Sequence, residues 1–360
     1  MSSYIKKCRN CNSISITTLF DLGKLRFTGK FPKLNAKIPY GNLTLVMCKN
    51  CKLVQLKEIF NMKYLYNKDY GYRTGINSTM SNHVSHVVTN LSKRSNIKDG
   101  DHALDIASND GTLLLNYKKK ILKWGIDPIL KKFKNEYKSI DYKISSFFNY
   151  KSIQKTKKNV KFKIITALSV FYDLENPNKF LNDIQKILHQ DGIFYLEFQD
   201  LMLILKYNMF DTICHEHLEY YSFTFVNRIL KKHKLKIFDH SYNDINGGSA
   251  AYFICHENAK FKSNTKKLNK VIKSEKNIKI EEVSTLTTRQ KDYFSSLYST
   301  YSIRLQFKFK IYCTNLGNHP VLDIFLPYFS WVLVVMLFQT PVTPGVHSPQ
   351  VFLKDKKKKH

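Results

Sequence analysis

The sequence predicts an α/β fold, a doubly wound and mostly parallel sheet closed at one edge by an antiparallel hairpin and preceded by a small metal-binding domain. Three observations predict it. Apolar strand-like runs alternate with helical stretches from "HALDI" to "GIFYLEF", the signature of a parallel sheet with crossover helices. Two further runs, "LKIFDHSY" and "SAAYFICH", are joined by the turn-rich "NDINGG" and read as a hairpin. Two Cys-x-x-Cys pairs stand near the start of the chain.

The pairs are Cys8 and Cys11 in "CRNC" and Cys48 and Cys51 in "CKNC". Each turns tightly enough to face one ion, and four thiolates complete a tetrahedral zinc shell. Free core cysteines would rarely fall into two such pairs. With every position filled by sulfur the ion has a structural role and no chemistry. The 36 residues between the pairs must fold by themselves, and "LFDLGKLRFTGKFP" has a strand-turn pattern. Residues 1–68 are read as this domain. In the lead-in 69–97, Met80, Val84, Val87, Val88 and Leu91 recur at helical spacing from Asn77 onward. Then come a buried strand His102 to Ile106, a tight loop, and a helix opening near Thr112. Further strands are expected ending in "WGIDP", near "YKISSF", and at "FKIITAL" and "GIFYLEF", with "NKFLNDIQKIL" the best helix between them. The sheet domain is bounded at 69–256. Residues 257–310 are Lys-rich and helical in pattern, and 311–360 form an atypical or truncated C-terminal region.

The formal net charge of +30 raises nucleic acid as a partner, because clustered cations neutralise phosphates. The make-up of that charge argues against it. Only seven of 58 basic residues are arginine, the residue whose fork reads phosphates and bases. The start "MSSYIKKCRNC" has no apolar core, and seven cysteines in this pattern fit a reducing compartment, so a cytoplasmic location is expected. The uncharged run Ile324 to Phe338 is shorter than the ~20 residues of a spanning helix and contains Pro327, so no membrane partner is expected.

In "DIASNDG" the first strand ends at Asp105 and the chain turns through Ala107, Ser108, Asn109 and Asp110 to Gly111. The first such loop of an open parallel sheet is where these folds bind ligands, and Gly111 is read as allowing close backbone approach. Asp127 lies 22 residues after Asp105, at the end of the second strand, suited to a ribose diol. GxGxxG is absent, which disfavours a dinucleotide. S-adenosylmethionine (SAM) has no phosphate and needs less of an amide-lined cradle. An antiparallel hairpin on a parallel sheet likewise distinguishes methyl-transferring from hydride-transferring folds.

The stretch "DTICHEHLEYYS", Asp211 to Ser222, gathers two histidines and several carboxylates. A metal reading is weak, because neighbours at i and i+2 point apart on a helix and HExxH is absent. A satisfied polar patch is the plain alternative.

Together, "CRNC…CKNC", "YGYRTG", "LDIASNDGTLL", "GIDP", "FYDLENPNKF", "DGIFYLEFQDL", "DTICHEHLEYYS" and "INGGSAAYF", in this order over about residues 4 to 256, resemble the SAM-dependent sugar C-methyltransferases that act on nucleotide-linked keto-deoxysugars. The resemblance implies a class I SAM methyltransferase sheet and a SAM site at Asp105, Ala107, Ser108, Asn109, Asp110, Gly111 and Asp127. It makes His217 the general base that removes the proton beside the sugar ketone, Glu216 an orienting or hydroxyl-holding group, and His215 a further catalytic candidate. Tyr72, Cys214 and Tyr220 are the expected substrate-binding positions. A histidine suits this task because its ordinary pKa of ~6.5 lies near working pH. The chain departs from the pattern at Ala107, where glycine is usual, at Cys214, often tyrosine, at Asp173, where some members have histidine, and at Ala251, where arginine is common. The Gly-rich opening of the family's C-terminal domain is not found. Two other readings stay open: a SAM-dependent O- or N-methyltransferase, and a SAM-binding protein inactive through loss of its C-terminal domain.

Overall fold

The computed structural model describes residues 3–28, 38–67, 70–207 and 209–286, all within one compact unit, Met1–Phe294. The expected region 311–360, the apolar run 324–338 and the end of the Lys-rich segment lie outside the described residues. No helix among the described residues is long and apolar enough to cross a membrane.

In chain order the N-terminal part contains β1 (Ser3–Tyr4), β2 (Ile16–Arg26), β3 (Tyr40–Cys48), β4 (Val54–Leu56), β5 (Glu58–Ile59) and the short α1 (Met62–Leu65). The lead-in helix α2 is Ser78–Ser95. It starts where Asn77 accepts the amide of Met80, a side-chain cap that satisfies one otherwise unpaired donor. Its buried face carries Met80, Val84, Val87, Val88 and Leu91, as the helical spacing predicts.

The large sheet follows: β6 (His102–Ile106), α3 (Thr112–Leu115), β7 (Leu122–Ile126), β8 (Tyr142–Ile144), α4 (Tyr150–Thr156), β9 (Phe162–Leu168), α5 (Pro177–Ile187) and β10 (Leu188–Phe198). After it come α6 (Leu201–Tyr207), β11 (Glu219–Tyr220), α7 (Phe223–Lys232), β12 (Leu235–Asn243), β13 (Ser249–His256) and α8 (Thr265–Asn277). Strand β10 begins earlier than the apolar run predicts, because "LHQD" continues the strand through a register shift between Leu188 and Ile193.

The seven-stranded sheet has the order β12-β13-β10-β9-β6-β7-β8. The five strands from β8 to β10 run parallel, and β13 is antiparallel to both β10 and β12. This is the class I SAM methyltransferase order, with the antiparallel hairpin at the edge. Successive residues serve opposite faces. Ala103, Ile164 and Ile193 meet α2, whereas Leu104, Ile165 and Phe194 join the core that includes Leu181 of α5 and Val226 of α7. Strand order reverses between β6 and β9, which opens a crevice at their carboxyl ends.

A second sheet has the order β11-β4-β3-β2. Its edge strand β11 comes from the "HEHLEYY" stretch, with Glu219 paired to Gln55 and Tyr220 to Val54. Leu43, Leu45 and Leu56 of this sheet pack against Leu201, Ile204 and Leu205 of α6. The stretch is therefore not helical after Thr212, and the side-chain divergence expected from a helix has another cause, described below.

Helix α8 closes the start of α7. Buried Glu275 accepts the amides of Phe223 at 2.7 Å and Thr224 at 2.8 Å. Glu275→Ala leaves both donors without that acceptor and is expected to cost about 1–3 kcal/mol, read as a lower midpoint in urea unfolding.

Candidate functional site

The four cysteines converge. Their Sγ atoms all lie within 4.8 Å of one another, with Cys8 to Cys51 at 3.5 Å and Cys11 to Cys48 at 3.6 Å. Tetrahedral zinc with bonds of ~2.3 Å separates its sulfurs by about 3.8 Å, so this set fits the ion. Outer donors face it as well: Gln55 Nε2 lies 3.3 Å from Cys8 Sγ, and the Cys51 amide 3.5 Å from Cys48 Sγ. Cys8 and Cys48 are buried against the core of the large sheet.

The turn after β6 is held from three sides. Asp105, at the strand end, accepts Thr166 Oγ1 at 2.6 Å, and burial raises its pKa to about 7. Asp127 accepts the amides of Asn109 at 2.9 Å and Ile129 at 2.8 Å, and burial raises it to about 6. The "YGYRTG" stretch lies over the turn. Thr74 N–H donates to Asn109 Oδ1, Asn109 Nδ2 donates to the Tyr72 carbonyl, and Arg73 Nε meets Asp110 Oδ2 at 3.1 Å. Gly75 N–H donates to the same oxygen, and a Cβ on Gly75 would stand 2.8 Å from it. The Tyr72 side chain is 41% exposed, so it remains available to a ligand.

Two backbone details mark the turn itself. Ala107 has φ +57°, in the left-handed region that glycine occupies freely, so the methyl strains the turn itself. Gly111 also has positive φ, but the space beside its Cα is taken by Ile140 and Tyr137, with an added Cβ 2.7 Å from Ile140. The missing side chain of Gly111 therefore leaves room for Ile140 and Tyr137 to pack close against the turn.

The "CHEH" residues divide between two environments. His215 is fully buried: its Nδ1 faces the Thr28 amide at 3.4 Å, its Nε2 the Gly41 carbonyl at 3.3 Å, and its ring lies edge-on to Phe27 and Phe60. Burial lowers its pKa to about 4. Glu216 accepts the Thr28 hydroxyl, which in turn accepts the His215 amide. Cys214 and Tyr220 are buried.

His217 turns the other way. Its half-buried ring lies 4.0 Å from that of Tyr172, and burial lowers its pKa to about 4. Nδ1 is 2.8 Å from the Thr212 carbonyl and 3.1 Å from Thr212 Oγ1. The Thr212 hydroxyl donates to Gln199 Oε1 at 2.5 Å, and Gln199 Nε2 donates to the Asn246 carbonyl at 2.7 Å. Every partner of Nδ1 is thus an acceptor, so Nδ1 holds the proton and Nε2 carries the lone pair. Gln199 and Thr212 were not among the sequence candidates. Thr212 lies inside the motif and could have been singled out, whereas nothing in the sequence marks Gln199.

Comparison with known proteins adds to this geometry. Residues 76–240 match the family described as "Methyltransferase domain", and residues 8–66 match "Putative zinc binding domain". C-methyltransferase NovU of Streptomyces niveus is 24% identical over 259 residues, which are 69% of this chain and 60% of that protein. This chain thus spans about 60% of the length of that curated relative. A SAM-dependent methyltransferase structure from Clostridium acetobutylicum overlaps 49% of this chain and 92% of its own, with 15% identity and a TM-score of 0.39. Magnesium protoporphyrin IX methyltransferase of Synechocystis, solved with SAH, overlaps 52% of this chain and 90% of its own, with 13% identity and a TM-score of 0.38.

Strand order and matched regions define the class: a zinc-binding domain followed by a SAM-dependent methyltransferase domain of class I. That domain order and the likeness to NovU agree with the sugar C-methyltransferase family that the motifs resemble.

Two outcomes are expected. Metal analysis finds one zinc per chain, lost in Cys48→Ala, and a chelator that strips it lowers the melting temperature. Ala107→Gly relieves the left-handed methyl, offset by a more flexible unfolded chain, for a net gain of about 0.5–1 kcal/mol in thermal unfolding.

Proposed function

We propose that the chain is a SAM-dependent C-methyltransferase acting on a nucleotide-linked keto-deoxysugar, with residues 1–68 its zinc-binding domain and 69–256 its methyltransferase domain. The observation that carries the reading is the tautomer of His217, whose proton is held on Nδ1 by Thr212 while Nε2 makes no hydrogen bond among the described residues. A bare imidazole nitrogen on an oriented ring is what abstraction of a proton beside a ketone needs. The C-methyltransferase name of NovU supports carbon as the acceptor.

The fit to SAM rests on two buried carboxylates at the switch-point crevice, Asp105 and Asp127. Asp127 at the end of β7 would take the ribose hydroxyls, and the turn 107–111 would line the amino-acid end. When bound, SAM supplies an electrophilic methyl group on a sulfonium. The protein's part is to hold the sugar, strip the proton at His217 Nε2, and keep the enolate carbon aimed. Glu216, tied to Thr28, orients the motif or a substrate hydroxyl. His215, with both ring nitrogens engaged by Thr28 and Gly41, anchors the motif and does not touch the sugar in this reading.

The test uses proton exchange at the carbon beside the ketone in deuterium oxide, without SAM, because deprotonation needs only base and sugar. His217→Asn should keep SAM affinity and lose roughly 10²–10⁴ in exchange and in turnover. Native-rate exchange in that variant would move the base elsewhere. Methylation of oxygen or nitrogen in the product would overturn the carbon assignment.

The low pKa of His217 has a kinetic signature. Protonation removes the lone pair, and with the pKa depressed to about 4 the base stays neutral through the ordinary range. Exchange should therefore fall on the acid side near pH 4, about two units below the ~6.5 of an unperturbed histidine.

A further inference from the structure

The turn after β9, Phe171–Asp173, borders the same crevice as the cofactor turn, because β6 and β9 are the strands between which the order reverses. Asp173 is 8% exposed. Its Oδ2 accepts the Tyr66 hydroxyl at 2.6 Å, and its Oδ1 is buried with no hydrogen-bond partner among the described residues. A buried carboxyl oxygen left this way is uncommon, and a ligand that completes it removes the penalty.

Three contacts describe the surroundings of Asp173. The neighbouring Tyr172 carries the ring on which His217 packs at 4.0 Å, and its carbonyl accepts the Leu218 amide at 2.8 Å. Tyr66 packs on Tyr70 with ring centroids 5.1 Å apart. Tyr70 is within electrostatic reach of Asp173, of Glu216 and of Asp127 alike. Asp173 thus adjoins the residue that meets the "HEH" stretch, and Tyr70 feels its charge together with those of Glu216 and Asp127.

From this geometry we infer that Asp173 is a neutral hydrogen-bond donor to the enolate oxygen of the substrate, with Tyr66 as its positioning residue. The inference rests on the deprotonation reading given above. The step balances within the site. His217 Nε2 takes the proton from carbon, the C–H electron pair moves onto the ketone oxygen, and that oxygen accepts a hydrogen bond from Asp173 Oδ1–H, which keeps its proton. Tyr66 donates to Oδ2, leaving Oδ1 as the protonated oxygen. Burial, with Glu216 and Glu219 nearby, holds the Asp173 pKa far above the ordinary carboxylate range, against the opposing Tyr66 bond. A protonated acid beside a tyrosine is an established way to stabilise an enolate.

The decisive comparison is Asp173→Asn against Asp173→Val. Asparagine still donates from its amide, so deuterium exchange on a keto-deoxyhexose nucleoside diphosphate without SAM should stay within about tenfold of wild type. Valine offers no donor and should lose roughly 10²–10³-fold. Tyr66→Phe keeps the ring packing and should lower exchange about tenfold. Infrared difference spectra, which need no substrate, should show a protonated carboxyl at pH 7 that disappears in Asp173→Asn and shifts in Tyr66→Phe. An ionised Asp173 at pH 7, an asparagine variant as damaged as valine, or native exchange in Asp173→Val would each overturn the inference alone. A wild type that exchanges no keto-sugar overturns it together with the function it rests on.

Discussion

The pairing of Glu219 and Tyr220 with Gln55 and Val54 is the constraint on which the arrangement depends. It makes the "HEH" stretch part of two structures at once, the edge of the cysteine-bearing sheet and the rim of the methyltransferase crevice. Cys51 lies three residues before Val54, so an ion on the four thiolates steadies the strand to which the stretch is hydrogen-bonded. Packing of Leu43, Leu45 and Leu56 on α6 fixes the same stretch from below. His215 completes the attachment, filling the space against Phe27 and Phe60 where a Cβ on Gly41 would stand 3.1 Å from its ring.

The charge of the chain is distributed in a way that suits proton chemistry. Despite its formal excess of 30 positive charges, no lysine or arginine is among its buried residues as described, whereas Asp105, Asp127, Asp173, Glu216 and Glu219 all are. Cations stay where water solvates them. Acids removed from water hold their protons more tightly, as the raised pKa values of Asp105, Asp127, Asp173 and Glu219 reflect, the last against the opposing charge of Arg9. Buried acids of this kind can donate as well as accept.

Local pattern carried most of the fold. The strands from His102 to Phe198, the face of α2 and the closing hairpin follow from apolar periodicity and turn residues, which are short-range signals. The cysteine set was legible for the same reason, since its spacing is itself the geometry. The two histidines show where such reading stops. His215 and His217 are two residues apart, yet one is bound to Thr28 and Gly41, 187 and 174 positions away, while the other is set by Thr212 and, beyond it, Gln199. Ala107 and Asp173 were visible as unusual letters. The left-handed backbone of the first, and the oxygen of the second that has no partner among the described residues, are properties of tertiary structure alone.

The shared strand also sets an order of events during synthesis. Val54 and Gln55 emerge 166 and 164 residues before Tyr220 and Glu219, the partners they need. Until those are made, β4 presents an open edge of unpaired amides and carbonyls next to apolar Leu45 and Leu56, the kind of surface on which nascent chains associate wrongly. Closing so long a loop is slow compared with forming the β2–β3 hairpin. A metal ion captured early by the four thiols, all of which lie within the first 51 residues, would keep the half-built sheet from opening while it waits.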